Sequence, residues 1–220
     1  MEKEDYKFEV TNVKISVKLP REVSLKFVED RCKLLQPTNT DIYCSKWKEN
    51  ILTVRYNNFT YVLFKKSSKV PPEGVILSQH CNITKLKSDS DITKAIEDLF
   101  FLVDQSPTIL NYSIDNYSCL AHCLTHTHQQ IDLCSLYLNE RIQCKYSKES
   151  FPAVIIYCPQ EIGKKSKNLC CLLYRSGSAV LVGGKDLEEV KFFFNWVVKI
   201  AQKYTKSLVN ATFGSGKKSY

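Results

Sequence analysis

The chain has 220 residues, of which 44% are hydrophobic and 25% charged, a globular composition that excludes extended disorder. Its charged N-terminus has no apolar signal-peptide core and no apolar run is long enough to span a bilayer, so we expect neither secretion nor a membrane partner. The net charge of +8 favours a polyanionic partner without requiring one, because AT-rich coding also enriches lysine.

In the first half of the chain, strand and helix patterns alternate. Polar and apolar residues alternate over 12–19, which predicts a half-buried strand, and Pro20 suits the first position of a following helix. Strands over 51–56 and 59–64 are joined by a hairpin turn at Asn57-Asn58, and another strand ends near 82–87. A second helix is predicted with Asp89 and Asp91 at its start. The apolar faces of the two helices are Leu25, Val28, Cys32 and Leu35, then Ile92, Ala95, Ile96, Leu99 and Val103.

After a break at 104–107, the second half repeats this order. A strand-like run lies within 112–124, and a helix is predicted near 129–141 with Ile131, Cys134 and Leu138 in line. Short β-rich runs follow, with a hairpin turn at 176–178. The last element is a long helix with carboxylates in its first turn and one apolar stripe, formed by Leu187, Val190, Phe194, Val197 and Ala201.

The repeated order indicates an internal duplication. Asn12 and Asn116 are 104 residues apart, as are Trp47 and Phe151, whereas Lys87 and Lys185 are 98 apart because the halves carry insertions in different loops. We therefore predict an α+β protein in which two repeats, residues 1–106 and 107–206, share one antiparallel sheet with its helices on one face. Residues 207–220 are expected to form a flexible tail.

Several motifs resemble one known family. FPAVIIY, LLYRSG and VLVGGK leading into a helix are similar to the second repeat of the TATA-binding protein family, and VTNVKISVKL resembles the opening strand of its first repeat. The resemblance covers residues 9–103 and 109–204. It implies a saddle in which a curved antiparallel sheet carries its helices on the convex face. It also implies a transcription initiation factor that binds and bends AT-rich promoter DNA in the minor groove.

The resemblance also implies which residues contact DNA. Phe151 and Tyr174 match the aromatic wedge pair of the second repeat, and Trp47 and Phe64 match that of the first. Asn12 matches a groove-reading asparagine whose mate is Asn116, with Asn111 as a competing alignment. Strand periodicity adds residues of the same concave face: Val62, Asn82, Thr84, Leu172, Val180 and Val182. The alternative is that the four aromatic residues belong to the core.

The sequence also departs from the family pattern. Lys14 stands where the family has an apolar groove contact, and Tyr174 adds a hydroxyl to a wedge. Only Glu149 remains of an acidic pair that, in the family, helps recruit the B-type initiation factor. These departures predict a divergent member, such as those of large DNA viruses or parasitic eukaryotes. Its expected partners are other initiation factors or RNA polymerase subunits.

Two basic insertions are expected to lie outside the groove-reading surface, where they would contact phosphate or a partner protein. They contain Lys65, Lys66 and Lys69 in the first half and Lys164, Lys165 and Lys167 in the second. The ten cysteines, without a secretion signal, predict free thiols in a reducing intracellular compartment, the nucleus or a cytoplasmic viral factory.

Neither catalysis nor a cofactor is predicted, because no nucleophile and base occur in a recognisable arrangement. A group of cysteines and histidines matches no zinc spacing, and alternate residues of a strand point to opposite faces, so no metal site is expected. The members of that group are Cys119, His122, Cys123, His126 and His128. The tail around Lys217 lacks the glycine and hydroxyl spacing of a phosphate-binding loop. The alternative function is a protein-interaction module of a transcription complex with little or no DNA binding of its own.

Overall fold

The computed structural model describes residues 7–39, 41–46, 51–65, 77–106, 111–122 and 129–207. The first half contains five strands and two helices in the described part. They are β1 (Lys7–Ser24), α1 (Leu25–Leu35), β2 (Tyr43–Lys46), β3 (Ile51–Tyr56), β4 (Phe59–Phe64), β5 (Leu77–Leu86) and α2 (Asp89–Val103). The second half follows with β6 (Tyr112–His122), β7 (Gln129–Ile131), α3 (Leu133–Asn139), β8 (Cys144–Lys145), β9 (Ala153–Tyr157), β10 (Cys170–Tyr174), β11 (Ala179–Gly184), α4 (Leu187–Lys203) and β12 (Thr205–Ser207).

Ten of these strands form one curved antiparallel sheet whose order is symmetric about its centre. The order is β2-β3-β4-β5-β1-β6-β11-β10-β9-β8, so the long strands β1 and β6 pair at the middle. On either side of that pair, each strand of the first half has an equivalent in the second. The predicted α+β, two-repeat architecture is therefore confirmed, whereas its exact residue boundaries stay a prediction.

Strand alternation and helix packing give the sheet one covered face and one open face. Odd-numbered residues of β1, such as Val13, Ile15 and Val17, are buried, and their even-numbered neighbours are half-exposed or exposed. The four described helices contribute their apolar sides to the same core, through residues such as Ile96 and Phe193. Burial of this continuous core is the main favourable term in folding.

The helices begin at side chains that accept hydrogen bonds from otherwise unpaired backbone N–H groups. Ser88 caps α2 and Asp186 caps α4, and the two residues are 98 apart, the offset already seen between Lys87 and Lys185. Such a cap contributes about 1 kcal/mol to helix stability. None of the described helices is long and apolar enough to cross a membrane.

The hairpin and the two long helices predicted from the sequence are confirmed. β3 and β4 have the predicted bounds, and Asn57 and Asn58 join them with φ of 48° and 70°. These left-handed backbone angles suit the right-handed twist of a two-residue hairpin, and asparagine tolerates them better than most residues do.

The expectation that Pro20 begins a helix is wrong. β1 continues through Pro20 to Ser24, and α1 begins at Leu25 with Ser24 as its cap. The ladder with β5 is interrupted between Lys18 and Val23, where a residue without an N–H group costs no strand hydrogen bond.

The helix predicted near 129–141 is also wrong in extent and in its buried face. Residues 129–131 instead form β7, which pairs with β12 at the end of the chain's described part. α3 begins only at Leu133 and buries Leu133 and Leu136, while Leu138 is 77% exposed. Pairing with a strand 76 residues away, Gln130 with Lys206, overrides the local pattern here.

Candidate nucleic-acid interface

The open face is the side of the sheet that the described helices leave uncovered. Its side chains are half-exposed, and along each half of the chain they come from equivalent strands. In the first half they are Asn12, Lys14, Ser16, Val62, Phe64, Asn82 and Thr84; in the second they are Asn116, Ser118, Leu120, Leu172, Tyr174, Val180 and Val182. An uncovered sheet surface containing several apolar side chains is characteristic of a binding site.

The residues singled out from the sequence fall in three places. Phe151 lies two residues before the start of β9 and is half-buried, and Trp47 lies outside the described residues. The others belong to strands of the open face: Asn12, Val62, Phe64, Asn82, Thr84, Asn116, Leu172, Tyr174, Val180 and Val182. The sheet thus brings together residues that are up to 170 positions apart in the chain, from Asn12 to Val182.

Asn12 and Asn116 make the same interaction in the two halves. The side-chain oxygen of Asn12 accepts a hydrogen bond from the backbone N–H of Lys85 at 2.7 Å, and that of Asn116 accepts one from Gly183 at 2.5 Å. Lys85 and Gly183 are 98 residues apart and both have positive φ, 71° and 87°. This pair of contacts was not foreseen from the sequence, because it depends on which strands become neighbours.

Because each amide oxygen is used in this way, the amide NH₂ group remains the donor available to a ligand. In the second half this group donates to Ser118 Oγ at 2.9 Å. Asn111, the competing candidate, is exposed ahead of β6, and its backbone carbonyl accepts from the N–H of Lys18. Only Asn116 therefore reproduces the Asn12 geometry.

Phe151 and Tyr174 form an aromatic pair at the outer end of the second half. Their ring centroids are 6.4 Å apart and the rings are tilted by 54°. The backbone N–H of Phe151 donates to the carbonyl of Ser147, which holds the ring at the end of a turn, and Tyr174 is the last residue of β10. Both rings are half-buried, so each keeps part of its surface for a ligand.

A polar cluster at the centre of the open face was not predicted as a whole. Ser16 Oγ lies 2.8 Å from Asn82 Oδ1 and 2.6 Å from Asp115 Oδ2, and its single proton can be donated to one of them. Lys14 Nζ lies 3.6 Å from the same Asp115 oxygen. Asp115 faces these residues because the β1–β6 register shifts beside it, and the sequence gives little signal of such a bulge.

The basic loop between β9 and β10 contacts the start of α4, on the covered side of the sheet. Lys165 Nζ lies 2.6 Å from Asp186 Oδ2, and the backbone N–H groups of Lys165 and Ser166 donate to Glu189. The Lys165 hydrogen bond, reinforced by backbone donors, lowers the pKa of the Asp186 carboxyl. Lys164 and Lys167 are exposed, as is Lys65 in the first half, whereas Lys66 and Lys69 lie outside the described residues.

The described residues contain no group of three or more side chains that could hold a metal ion. Cys119 is fully buried on the covered face, and His122 is half-exposed on the strand's other side. Cys123, His126, His128 and the tail around Lys217 lie outside the described residues. On the open face, burial raises the pKa of the Cys170 thiol, so this side chain is uncharged at neutral pH.

Comparison with known proteins gives two informative similarities. Residues 111–204 match the sequence model of the family described as transcription factor TFIID, or TATA-binding protein. The structure of the Methanococcus jannaschii TBP is similar to this chain with a TM-score of 0.65 and 17% identity, covering 90% of this chain and 99% of that one. At this identity the structural likeness indicates the fold alone.

A further structural match carries no argument because its TM-score is 0.30. It is a heterotetrameric sarcosine oxidase from Corynebacterium sp. U-96, 7% identical over 90% of this chain and 84% of that one. No curated protein sequence matches the chain.

Proposed function

The family model of the TATA-binding protein matches the second half of this chain, and on that basis we propose that the chain is a member of this family and that it binds and bends AT-rich promoter DNA through its open face. The family consists of transcription factors and not of enzymes. The proposed role is that of an initiation factor, without a catalytic residue or a cofactor of its own.

The observation that supports DNA binding most directly is the chemistry of the uncovered sheet. A·T pairs present only hydrogen-bond acceptors in the minor groove, the N3 of adenine and the O2 of thymine. Asn12 and Asn116 use their oxygens for backbone contacts, so the groups left to face a ligand are amide donors. Donors flanked by apolar side chains such as Leu172 and Val180 match this groove.

The aromatic pair Phe151 and Tyr174 supports the bending part of the proposal. Smoothly bending a short DNA site costs roughly 1–6 kcal/mol by elastic estimates, and apolar wedges inserted at a base step stabilise the bent form. The half-buried rings lie at the outer end of the open face, where a wedge has to lie to kink the duplex.

The proposal is tested by titrating the protein into a short AT-rich duplex with a fluorophore at each end. We expect anisotropy to report binding and energy transfer between the fluorophores to rise as the ends approach. A duplex of the same length containing only G·C pairs is the control, and it should bind more weakly. Absence of binding to both duplexes at low salt would contradict the proposal.

A second candidate function is a protein-interaction module that has kept the fold and lost DNA binding. The central Lys14, Ser16 and Asp115 cluster favours it, because a carboxylate on this face is repelled by the electronegative groove of A·T pairs. Such a module would bind initiation factors or polymerase subunits through its helices or end loops. The same titration distinguishes the two, since the module would leave both fluorescence signals unchanged.

Localisation follows from the same proposal. The nine described cysteines are free thiols, which suits a reducing compartment inside the cell. The nucleus and a cytoplasmic viral factory are both reducing sites where promoter DNA is available.

A further inference from the structure

The two halves of the open face have different chemistry although their backbones are equivalent. Cross-strand pairing gives one row of three side chains in each half. In the first half the row is Ser16–Asn82–Val62, and in the second it is Leu120–Val180–Leu172. Ser16 and Leu120 are 104 residues apart, and Asn82 and Val180 are 98 apart, so the rows occupy matching places. One row is mainly polar and the other is entirely apolar.

Asp115 adds a carboxylate to the polar row, and it has a counterpart of its own. The β1–β6 register shifts twice, once beside Thr11 and once beside Asp115, and these residues are also 104 apart. Thr11 donates its hydroxyl to the backbone carbonyl of Ser118, whereas Asp115 contacts the side chains of Lys14 and Ser16. Both halves therefore have the bulge, but only the bulge at Asp115 carries a carboxylate, which accepts hydrogen bonds and donates none.

The polar row presents hydrogen-bond acceptors that an A·T pair cannot satisfy. In the minor groove, A·T pairs offer no donor, while a G·C pair offers the N2 amino group of guanine. The side chain of Asp115 is 30% exposed, and its Oδ1 accepts no hydrogen bond from the described part of the chain. The Oδ1 atoms of Asp115 and Asn82 therefore form a pair of acceptors on a surface that otherwise suits A·T pairs.

We infer that the polar side of the open face selects a base pair with a minor-groove amino group, in practice G·C, through Asn82 of the first half and Asp115 of the second. Ser16 positions the two acceptors, because its hydroxyl lies within hydrogen-bond distance of both. Lys14 offsets the carboxylate charge against the surrounding phosphates. The apolar row of the second half excludes the same amino group, since burying it there leaves a donor unpaired. This inference rests on the proposed function and specifies its preferred DNA.

The test uses base analogues that change only the minor groove. Starting from an all-A·T duplex, one adenine at a time is replaced by 2,6-diaminopurine, which adds the amino group to an otherwise unchanged pair with thymine. We expect affinity to rise about tenfold at one or two adjacent positions, a modest value for a base contact, and to fall elsewhere. At those positions, a duplex with a guanine–cytosine pair should in turn bind more tightly than one with an inosine–cytosine pair, because inosine lacks the amino group.

Substitutions that give each residue the identity of its equivalent in the other half provide the matched protein control. Asn82→Val combined with Asp115→Thr installs the residues found at the equivalent places, Val180 and Thr11. This variant should lose the diaminopurine preference, so that no position of the duplex gains affinity when the amino group is added. Asp115→Asn, which keeps the shape of the side chain, should reduce the preference at least threefold and serves if the double variant does not fold.

The outcomes separate the inference from the function on which it rests. Binding to the all-A·T duplex that weakens with diaminopurine at every position would overturn the inference and leave the proposed function intact. A preference that persists in a folded double variant would also overturn it. If no duplex is bound, with or without the added amino group, the proposed function itself fails.

Discussion

At the scale of single residues, the open face contains side chains that contribute to binding more than to folding. Phe151 and Phe193 illustrate the difference, since both are phenylalanines of the second half. Phe151 is half-buried against Tyr174, whereas Phe193 is fully buried in the core beneath the sheet. Truncating a buried phenylalanine removes apolar contacts and leaves a cavity.

The first prediction concerns this pair of residues. Phe151→Ala should cost well under the roughly 3–5 kcal/mol expected for truncating a buried phenylalanine, but it should reduce DNA affinity and bending. Phe193→Ala is the control and should show the full stability loss. Chemical unfolding and end-to-end energy transfer on both variants provide the measurement. A stability loss for Phe151→Ala equal to that of the control would make Phe151 a core residue.

The second prediction separates the two roles of Asn116. Asn116→Asp keeps an oxygen for the Gly183 N–H group but replaces the amide donor with a charge, so stability should change little and DNA affinity should fall at least tenfold. Asn116→Ala should cost about 1–3 kcal/mol of unfolding free energy, because the Gly183 N–H loses its acceptor. Equal DNA affinity for Asn116→Asp and the unaltered protein would show that the amide does not contact DNA.

At the scale of elements, the strands β5 and β11 turn at equivalent points with different residues. Lys85 and Gly183 both have positive φ, which costs a residue with a side chain about 1–2 kcal/mol and costs glycine almost nothing. At Gly183 a Cβ atom would also lie 2.2 Å from the carbonyl oxygen of Asn168, a distance no side chain can adopt. The second repeat therefore needs glycine here, and the first repeat tolerates lysine.

The third prediction follows from that difference. Gly183→Ala should lower the unfolding free energy by more than about 2 kcal/mol, because positive φ and the Asn168 clash add together. Lys85→Gly should leave stability unchanged or raise it by up to about 1 kcal/mol, since relief of strain is partly offset by greater unfolded-state entropy. Denaturant unfolding of the two variants is the measurement. A Gly183→Ala protein as stable as the original would mean that the loop at Asn168 can move aside.

At the scale of the whole molecule, the net charge of +8 is not all available to DNA. Lys165 illustrates this point, because its ammonium group is paired with Asp186 at the covered side of the sheet. Lys164 and Lys167 are exposed in the same loop and have no ion pair with a described residue. Neighbouring lysines should therefore differ in their contribution to binding.

The fourth prediction tests this difference through the salt dependence of DNA binding. Each phosphate contact adds about 0.9 to the slope of log affinity against log salt, so Lys164→Ala with Lys167→Ala should flatten the slope by up to about 2. Lys165→Ala is the control and should leave the slope unchanged. Affinities measured at several salt concentrations decide the matter. Should the double variant keep the original slope, these lysines lie outside the DNA interface.

The sequence by itself determined the elements whose patterns are long and local. Alternation set the buried and open sides of β3 and β4, the 3.6-residue repeat identified α2 and α4, and the recurring offsets revealed two repeats. Because strand alternation is a property of each strand, Val62, Asn82, Leu172 and Val180 could be assigned to one surface without the fold. The predictions failed where the local signal was short, as in α3 and at Pro20, since long-range strand pairing decides those segments.

Only the tertiary structure decided how the open face is made up. The Asn12 and Asn116 contacts with Lys85 and Gly183, and the contact of Asp115 with Ser16, join strands that are distant in the chain. Such contacts depend on strand order and on bulges. A residue at a bulge does not follow the alternation between the two faces of a regular strand, so the sequence pattern does not show which face it joins. The sequence therefore indicates that a binding sheet exists, whereas the difference between its polar and apolar halves emerges when the two repeats pair.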